Sequence, residues 1–415
     1  MNINKIFRHS KFKSVSYYLI ASVLSTLIGL VINPFLSIGL SHKDFAVIGY
    51  FTSFITLLSP IIAFSFNSYY ARNYFLVDDF KREKMLQTLL SLFLVFGFVV
   101  FLLFYICYYF YHTIYITSIQ FSPYALLSFL PMYFASFYNL YLLDLRMQNE
   151  AKRYAFITVL NSLIGAFFSV LLVYILKYGA EGRLFAILLV SVLFAIYSLK
   201  TKKFYYTFNK DIVKEAFSFC WPITISSFLT FFFMGIDRTF LSQLNNNHSL
   251  GLYNVGLQIS GYIGVFGSVI CQTFDPDLFK YASLKLNKKI FYLVILITGI
   301  TMIPNLVFLV LSKPLINILT YGKYVEATSF ANILCLKNVT SIFAFSLSNV
   351  LVGYGYAKFE LINKLLGAFI SLLLYKYLIG KYGFYGAAWG QSVSWLVMGL
   401  ISFSCILYMH LKSKK

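Results

Sequence analysis

Charged side chains are scarce in this sequence of 415 residues. Asp, Glu, Lys and Arg make up 12% of the chain, about half of the share that is usual in a soluble domain. Acidic residues are rarer than basic ones, since the chain has 14 Asp and Glu but 34 Lys and Arg. Because 60% of the residues are hydrophobic, a soluble domain is excluded and the sequence predicts an integral membrane protein.

Paired cysteines and a nucleotide-binding loop are also missing. The five cysteines fall inside apolar runs and show no paired spacing: Cys107, Cys220, Cys271, Cys335 and Cys405. This pattern gives neither a disulfide framework nor a metal site. No Walker-type phosphate loop is present, which argues against a process driven directly by ATP. We therefore expect no metal, no organic cofactor and no catalytic residues.

Twelve apolar runs are long enough to cross a membrane as helices. Runs of about 18 to 25 residues match a hydrocarbon core of about 30 Å. The last two runs, 359–379 and 384–410, are separated by only a few residues. The first run is too long for a signal peptide and lacks a cleavage site of small residues, so we expect it to be retained. The predicted fold is an all-α membrane protein with twelve transmembrane helices.

Basic residues are divided unevenly between the loops. With twelve spans both termini share a side of the membrane, and most of the 34 Lys and Arg lie in the loops on that side. Seven lie in the opposite loops: Lys43, Lys177, Arg183, Lys313, Lys323, Lys376 and Lys381. The positive-inside rule therefore predicts cytoplasmic N and C termini. The net charge of +20 then needs no nucleic-acid partner.

An internal repeat is the most specific signal in the chain. The stretch "LNSLIGAFFSVLL" at 160–172 recurs as "INKLLGAFISLLL" at 362–374, and "KYGAEG" at 177–182 recurs as "KYGFYG" at 381–386. We predict an N-terminal six-helix lobe at 1–199, a cytoplasmic linker at 200–215 and a C-terminal six-helix lobe at 216–415. Six spans is an even number, so the repeat is parallel, and two such lobes suit alternating access around a central cavity.

Three cations and one clear acid fall inside predicted spans. Lys337 lies near the middle of its span, whereas Arg238 and Lys364 lie nearer to an end. A cation near mid-bilayer costs about 2.5 to 3.5 kcal/mol, so we expect these side chains to face a hydrated cavity that attracts an anion. For Lys364, snorkelling to the interface is an equal alternative. Asp237 adjoins Arg238, but neighbours on a helix diverge by about 100°, so we do not expect each to be the other's main partner.

Uncharged polar residues form stripes on equivalent helices of the two copies. Asn33 belongs to the stripe on the first span, and one face of the eighth span carries Asn254, Gln258, Gly261, Ser268 and Gln272. Small residues on such a stripe also serve as helix-packing surface. An amide side chain needs a partner or water, so Asn33, Asn254 and Gln258 are predicted to line the cavity.

The seventh and eighth spans also carry a specific local pattern. Pro222 comes early in the seventh, Asp237-Arg238 comes late in it, and Gly251-Leu252-Tyr253 opens the eighth. With twelve spans in two copies, this pattern resembles the Wzx-type O-antigen and polysaccharide flippases of the multidrug/oligosaccharidyl-lipid/polysaccharide exporter superfamily. The resemblance covers essentially the whole chain. The first copy departs from it, with Ala46-Val47-Ile48 in place of Gly-x-aromatic.

The resemblance implies a flippase, a secondary transporter rather than an enzyme. Its substrate would be an undecaprenyl-diphosphate-linked oligosaccharide, moved from the cytoplasmic to the periplasmic leaflet for O-antigen, capsule or similar polysaccharides. We expect Arg238, Lys337 and Lys364 to hold the diphosphate, and the three amide side chains to hold the glycan. Asp237 is either a site for a coupling proton or sodium ion or a structural tie between helices, and the membrane potential is a further source of coupling.

The resemblance also implies partners for the protein and leaves alternative functions open. The expected partners are the lipid-linked glycan, membrane lipids, a polysaccharide polymerase and other assembly proteins, and the protein is expected to be a monomer. A related exporter, either a lipid II flippase or a multidrug antiporter, is the nearer alternative, although a drug exporter would need carboxylates in its cavity. A membrane glycan-synthesis enzyme is more remote and would rest on Asp275-Pro-Asp277.

Overall fold

The computed structural model describes residues 3–115, 119–354 and 357–412, most of which are helical. The helices before residue 202 are α1 (Ile3–Gly39), α2 (His42–Ser53), α3 (Ile55–Ala63), α4 (Phe66–Asn73), α5 (Asp79–Leu92), α6 (Phe98–Tyr115), α7 (Tyr124–Met147), α8 (Ala151–Ser169) and α9 (Gly179–Thr201). The later helices are α10 (Lys210–Phe228), α11 (Phe231–Met234), α12 (Ile236–Ser242), α13 (Asn247–Ser283), α14 (Asn287–Leu319), α15 (Thr328–Gly353) and α16 (Ala357–Lys412). Short π-helical segments lie at Phe93–Gly97 and Val170–Ile175, and a 3₁₀ turn lies at Val325–Ala327.

Eleven helical segments of the described residues are long and apolar enough to cross a membrane. A bilayer offers no water to backbone N–H and C=O groups, so an apolar run of this length forms a helix that satisfies them internally. The predicted all-α, multi-pass membrane protein is confirmed. The number differs from the predicted twelve because the last segment, Leu361–Tyr408, includes both of the last two predicted runs in 48 residues.

A glycine interrupts this last segment. A straight helix of that length would extend about 72 Å, more than twice the hydrocarbon core. Gly383 has φ 57° and ψ −131°, which is not helical and which side chains with a Cβ rarely adopt. The interruption lies between the predicted runs 359–379 and 384–410. Gly179, at the same place in the first copy of the repeat, also has a positive φ of 54°, so the repeated motif keeps this feature of its backbone.

The chain forms two compact units that differ from the predicted lobes. The first unit is Met1–Leu40 with Phe54–Phe228, and the second is Ser41–Ser53 with Leu229–Lys415. Helix α2 therefore belongs to the second unit, where it packs on α13, and α10 belongs to the first unit, where it packs on α3 and α4. The predicted boundaries at 199 and 216 lie inside the first unit, because helix packing rather than position in the repeat decides where these two helices belong.

A buried carboxylate ties helices of the first unit together. Asp144, near the end of α7, is 1% exposed. It accepts hydrogen bonds from Tyr70 Oη at 2.6 Å and from Gln148 Nε2 at 2.9 Å. Lys202, just after α9, forms an ion pair with the same carboxylate. The charge of Asp144 is thus compensated by groups from three different parts of the unit.

The predicted seventh span, 216–242, is discontinuous. It consists of α10, α11 and α12, with one break after Phe228 and another at Gly235. A Cβ added at Gly235 would lie 2.5 Å from the Phe231 ring and 2.8 Å from the carbonyl oxygen of Ser53, at the end of α2. Glycine therefore permits a close approach of the chain to α2. The charged pair Asp237-Arg238, which was predicted to lie late in the seventh span, therefore lies in the short helix α12.

The non-helical backbone at residue 383 should require glycine at this position. We expect Gly383→Ala to lower the free energy of unfolding by about 1 to 3 kcal/mol, because alanine disfavours this conformation. Sterics do not contribute, since no atom lies within 4 Å of the added Cβ. Thermal unfolding of the purified protein in detergent measures the effect. Gly380→Ala is the matched control: it also meets no atom, but it lies in regular helix and should be neutral or stabilising. Equal losses at both positions would contradict the expectation.

Candidate functional site

Asp237 is the centre of a buried hydrogen-bonded group in the second unit. Its side chain is 0% exposed. Oδ2 accepts hydrogen bonds from Tyr253 Oη at 2.5 Å and from Gln391 Nε2 at 2.8 Å. Tyr253 lies on α13 and Gln391 on α16, so the carboxylate of α12 connects three helices. The structural tie that was one interpretation of Asp237 is therefore present.

Arg238 lies beside Asp237 and is nearly as buried, with 9% of its surface exposed. Its guanidinium donates a hydrogen bond to the carbonyl oxygen of Met234, one turn earlier. Its Nε lies 3.6 Å from Asp237 Oδ1, which is an ion pair without hydrogen-bond geometry. The hydrogen bonds of Asp237 thus go to other helices, in line with the divergence of neighbouring side chains, while the opposite charges still attract each other.

Lys337 completes a cluster of three buried charges. It lies on α15 and is 8% exposed. It interacts electrostatically with both Arg238 and Asp237. We call Asp237, Arg238 and Lys337 the charge cluster. Since it contains two bases and one acid, its formal charge is positive, and it provides an excess cation inside the membrane-spanning part of the second unit.

Lys337 also lines a polar cavity of about 470 Å³ in the second unit. This volume is in the range of sites for small molecules. The cavity lies chiefly between one face of α13 and one face of α15, with Met234 of α11 at its side. Its lining is Met234, Gly261, Gly264, Val265, Ser268, Cys271, Gln272, Asp275, Lys337, Asn338, Ser341, Ile342, Phe345 and Asn349. The helical spacing of these residues shows that each helix presents one continuous stripe.

Asp275 gives the polar cavity a second charge, which the sequence did not lead us to place there. Its Oδ1 accepts a hydrogen bond from Asn349 Nδ2 at 2.7 Å and a weaker one from Cys271 Sγ at 3.6 Å. Asn349 lies three turns along α15 from Lys337, about 18 Å at 1.5 Å per residue. The cavity therefore has a cation toward one end and a carboxylate toward the other. The regular spacing of Asp275 with Gly261, Ser268 and Gln272 was the signal that could have revealed it.

Part of the predicted polar stripe on α13 lines this cavity, namely Gly261, Ser268 and Gln272. The two predicted glycan ligands on the same helix do not. Asn254 donates from Nδ2 to the carbonyl oxygen of Phe45 at 3.3 Å, so it contacts α2. Gln258 donates to Tyr262 Oη at 3.0 Å. The beginning of α13 is thus a packing surface, because α2 covers it.

Two other predicted ligands are not among the lining residues of the polar cavity. Asn33 is buried at 2% exposure on α1, in the first unit. Lys364 is half-buried on α16 and is not part of the cavity lining. Among the predicted ligands, therefore, Lys337 lies in the cavity wall and Arg238 lies in the charge cluster beside it, whereas the roles predicted for the others remain predictions.

The sequence of this chain matches one family model over more than half of its length. The model is that of the polysaccharide biosynthesis proteins, and it matches residues 12–281. The chain belongs to the polysaccharide biosynthesis protein family. The resemblance to Wzx-type polysaccharide flippases is confirmed, and so is the multi-pass membrane location, which fits a bacterial inner membrane.

Relatives in sequence include a membrane protein. An uncharacterized membrane protein of Haemophilus influenzae is 26% identical over 315 residues, which cover 73% of this chain and 74% of that protein. A protein named for the Lsg locus of the same organism is 24% identical over 286 residues, 67% of each chain.

Solved structures show which fold this family member has. A lipid II flippase MurJ in an inward closed conformation has a TM-score of 0.72 at 15% identity, covering 94% of this chain and 87% of that one. An inward-facing multidrug resistance MATE transporter has a TM-score of 0.71 at 17% identity, covering 94% of each. A transporter from Pyrococcus furiosus has a TM-score of 0.68 at 16% identity, covering 97% and 96%. The chain therefore has the fold that these two transporters and this flippase share.

The first unit also has a cavity, of about 310 Å³, with a cation in its wall. Arg183 lies in its wall, donating a hydrogen bond to Ser169 Oγ, and Asn161 and Ser162 lie there too. The sequence placed Arg183 in a loop, but α9 already begins at Gly179. The repeat carried a signal of this difference, because "KYGAEGR" ends in Arg183 where "KYGFYGA" has Ala387.

The buried position of Asp237 leads to a prediction for the stability of this family member. We expect Asp237→Ala to lower the free energy of unfolding by about 3 to 5 kcal/mol, since it leaves Arg238 and Lys337 without their negative partner. Asp275→Ala is the matched control: the same group is lost from a half-buried position on a cavity wall, and the cost should stay near 1 kcal/mol. Thermal unfolding of both purified variants in detergent checks this. Similar losses in the two variants would show that Asp237 is not the tie described above.

Proposed function

We propose that this protein is a flippase that moves an undecaprenyl-diphosphate-linked oligosaccharide from the cytoplasmic to the periplasmic leaflet, by alternating access, for O-antigen, capsule or similar polysaccharides. The observation that carries the proposal is a polar, lysine-bearing cavity inside the membrane-spanning part of a polysaccharide biosynthesis protein. Without such a cavity, each sugar hydroxyl and the diphosphate would lose their water in the bilayer, at a few kcal/mol per uncompensated polar group and more for each charge.

The diphosphate is the part of the substrate that the charge cluster would attract. Lys337 reaches the cavity directly, and Arg238 adds a second positive charge close to it. A guanidinium or ammonium donates charge-assisted hydrogen bonds to phosphate oxygens. Lys364 is retained as a third proposed cation. Asn33, Asn254 and Gln258 are retained as proposed glycan ligands, although they would have to exchange their present contacts for sugar hydroxyls.

Alternating access needs two lobes that can move against each other across the membrane. We infer twelve crossings in two six-helix lobes with cytoplasmic termini. The support for twelve is the interruption at Gly383, since Leu361–Tyr408 is long enough for two crossings. The support for cytoplasmic termini is the uneven distribution of Lys and Arg.

Energy for directed movement is available without ATP. Moving an anion outward across an inside-negative potential is favoured by about 2.3 kcal/mol per charge per 100 mV. Asp237 is the proposed site for a coupling proton or sodium ion as well. Its Oδ2 is occupied by Tyr253 and Gln391, but Oδ1 is buried and accepts no hydrogen bond among the described residues. This unused acceptor capacity supports the proposal, and a bound cation would share Oδ1 with Arg238 Nε, which lies 3.6 Å away. A polymerase and other assembly proteins remain predicted partners.

A second candidate function is favoured by one observation. A multidrug antiporter needs a carboxylate in its cavity, and Asp275 lies in the wall of this one. Lys337 argues against that function, since an organic cation would be repelled by it. Removal of either charge separates the candidates, because an anionic substrate depends on Lys337 and a cationic substrate depends on Asp275.

Loss of a cluster cation should impair transport of lipid-linked glycan. We expect Lys337→Ala and Arg238→Ala to lower its delivery to the periplasmic leaflet by about 10- to 100-fold, the equivalent of one hydrogen bond to a charged group. Lys337→Arg should retain more activity, since it keeps the charge. The assay compares cells with equal amounts of folded, membrane-inserted protein. Lys313→Ala, at an exposed position of α14, is the control. Full activity in both alanine variants would remove the cationic site.

Filling the cavity should have the same effect without changing any charge. Gly261 lies in the cavity wall, and a Cβ added there meets no atom within 4 Å. We therefore expect Gly261→Leu to fold normally but to deliver at least about tenfold less glycan, since the leucine side chain occupies space that the substrate needs. Gly380→Leu, which also meets no atom and lies outside the cavity wall, is the control. If both variants transport normally, the substrate does not use this cavity.

A further inference from the structure

An elongated apolar groove of about 690 Å³ lies in the second unit and shares no lining residue with the polar cavity. It is formed by α14, α15 and α16. Its lining is Asn287, Lys288, Ile290, Phe291, Val294, Ile295, Thr298, Gly299, Met302, Phe343, Leu347, Tyr354, Phe403, Ile406 and Leu407. The groove thus requires an explanation separate from the transport of a glycan.

One stripe of α14 forms the length of this groove. From Asn287 to Met302 the helix rises about 22 Å at 1.5 Å per residue. Thr298 is effectively apolar, because its hydroxyl already donates to the carbonyl oxygen of Val294 at 2.8 Å. A Cβ added at Gly299 meets no atom within 4 Å, so the helix surface there is open. The groove therefore offers a long apolar surface with room beside the helix.

Polar groups are confined to one end of the groove. There, Tyr354 Oη donates a hydrogen bond to Asn287 Oδ1 at 2.5 Å. Lys288 is exposed and contributes the charge at this end. Its neighbour Lys289 instead lies over the ring of Tyr281, with Nζ 5.6 Å from the ring centre. No acid lies in the first turn of α14. The groove thus has one cationic end and a long apolar body.

We propose that this groove binds one anionic phospholipid of the surrounding membrane, with its phosphate at Lys288 and one acyl chain along α14 toward Met302. Basic pockets between membrane helices on the cytoplasmic side bind anionic head groups, and α14 begins on the predicted cytoplasmic side. The half-thickness of the hydrocarbon core is about 15 Å, so a groove of about 22 Å has room for one chain of one leaflet together with the phosphate group at its polar end. The much longer polyprenyl chain of the proposed substrate would extend beyond it.

The bound lipid would act on the neighbouring cavity through α15. This helix contributes Phe343 and Leu347 to the groove and Lys337 and Phe345 to the polar cavity. An acyl chain packed against one side of α15 supports the side that carries Lys337. The phospholipid is therefore a structural ligand of the second unit, whatever the polar cavity transports.

Retention of defined lipids by the purified full-length protein tests the proposal. The protein is delipidated in detergent and incubated with phosphatidylglycerol, phosphatidylcholine or undecaprenyl phosphate, and bound lipid is counted by native mass spectrometry. We expect one phosphatidylglycerol to be retained in preference to the other two. Lys288→Glu should weaken its retention at least about fivefold, the factor that corresponds to about 1 kcal/mol per basic residue at an anionic surface. Gly299→Leu should abolish retention by filling the groove.

Two matched variants make the test specific. Lys289→Glu changes the same charge in the same helical turn, away from the groove, and should retain phosphatidylglycerol as the unmodified chain does. Gly380→Leu adds the same side chain at an open position elsewhere and should behave likewise. Equal effects of the two lysine variants, unchanged retention in Gly299→Leu, or preferential retention of phosphatidylcholine or undecaprenyl phosphate would each overturn the proposal. None of these outcomes depends on glycan transport.

Discussion

A buried carboxylate in apolar surroundings must have partners, and this requirement organises the second unit. The hydrogen bonds to Asp237 from Tyr253 and Gln391 fix the relative positions of α12, α13 and α16. The first unit solves the same problem in the same way, since Asp144 accepts from a tyrosine hydroxyl and a glutamine amide and pairs with a base. In each unit, one buried acid thus has partners from more than one helix.

The position of the acid also explains why its base lies near the polar cavity. Hydrogen bonds direct the Asp237 carboxylate toward α13 and α16, and the next residue, Arg238, consequently points elsewhere. Because α11 and α12 are separated at Gly235, these two residues belong to a short helix that packs closely on α2. Lys337, which lies on α15, interacts electrostatically with both Asp237 and Arg238. A chain discontinuity, an acid and two bases therefore form one connected arrangement.

Sequence reasoning succeeded where a single physical rule applies. Run length predicted the membrane helices, and the cost of a buried cation led to Lys337, which lines a cavity. It went no further where the outcome depends on which helices meet. Asn254 was predicted to line the cavity, and in the structure its amide contacts α2. Arg183 and Asp275 looked like residues near helix ends, yet both line cavities. The place of α2 in the second unit and of α10 in the first likewise depends on which helices pack together, which no local pattern encodes.

The repeated motif carries its cation at a different place in each copy. Arg183 in the first copy corresponds to Ala387 in the second, while Lys364 in the second corresponds to Ser162 in the first. The backbone of the motif, with its positive φ at Gly179 and Gly383, was kept. The two copies of the motif are therefore alike in backbone and unlike in charge, so the repeat makes the two units chemically asymmetric.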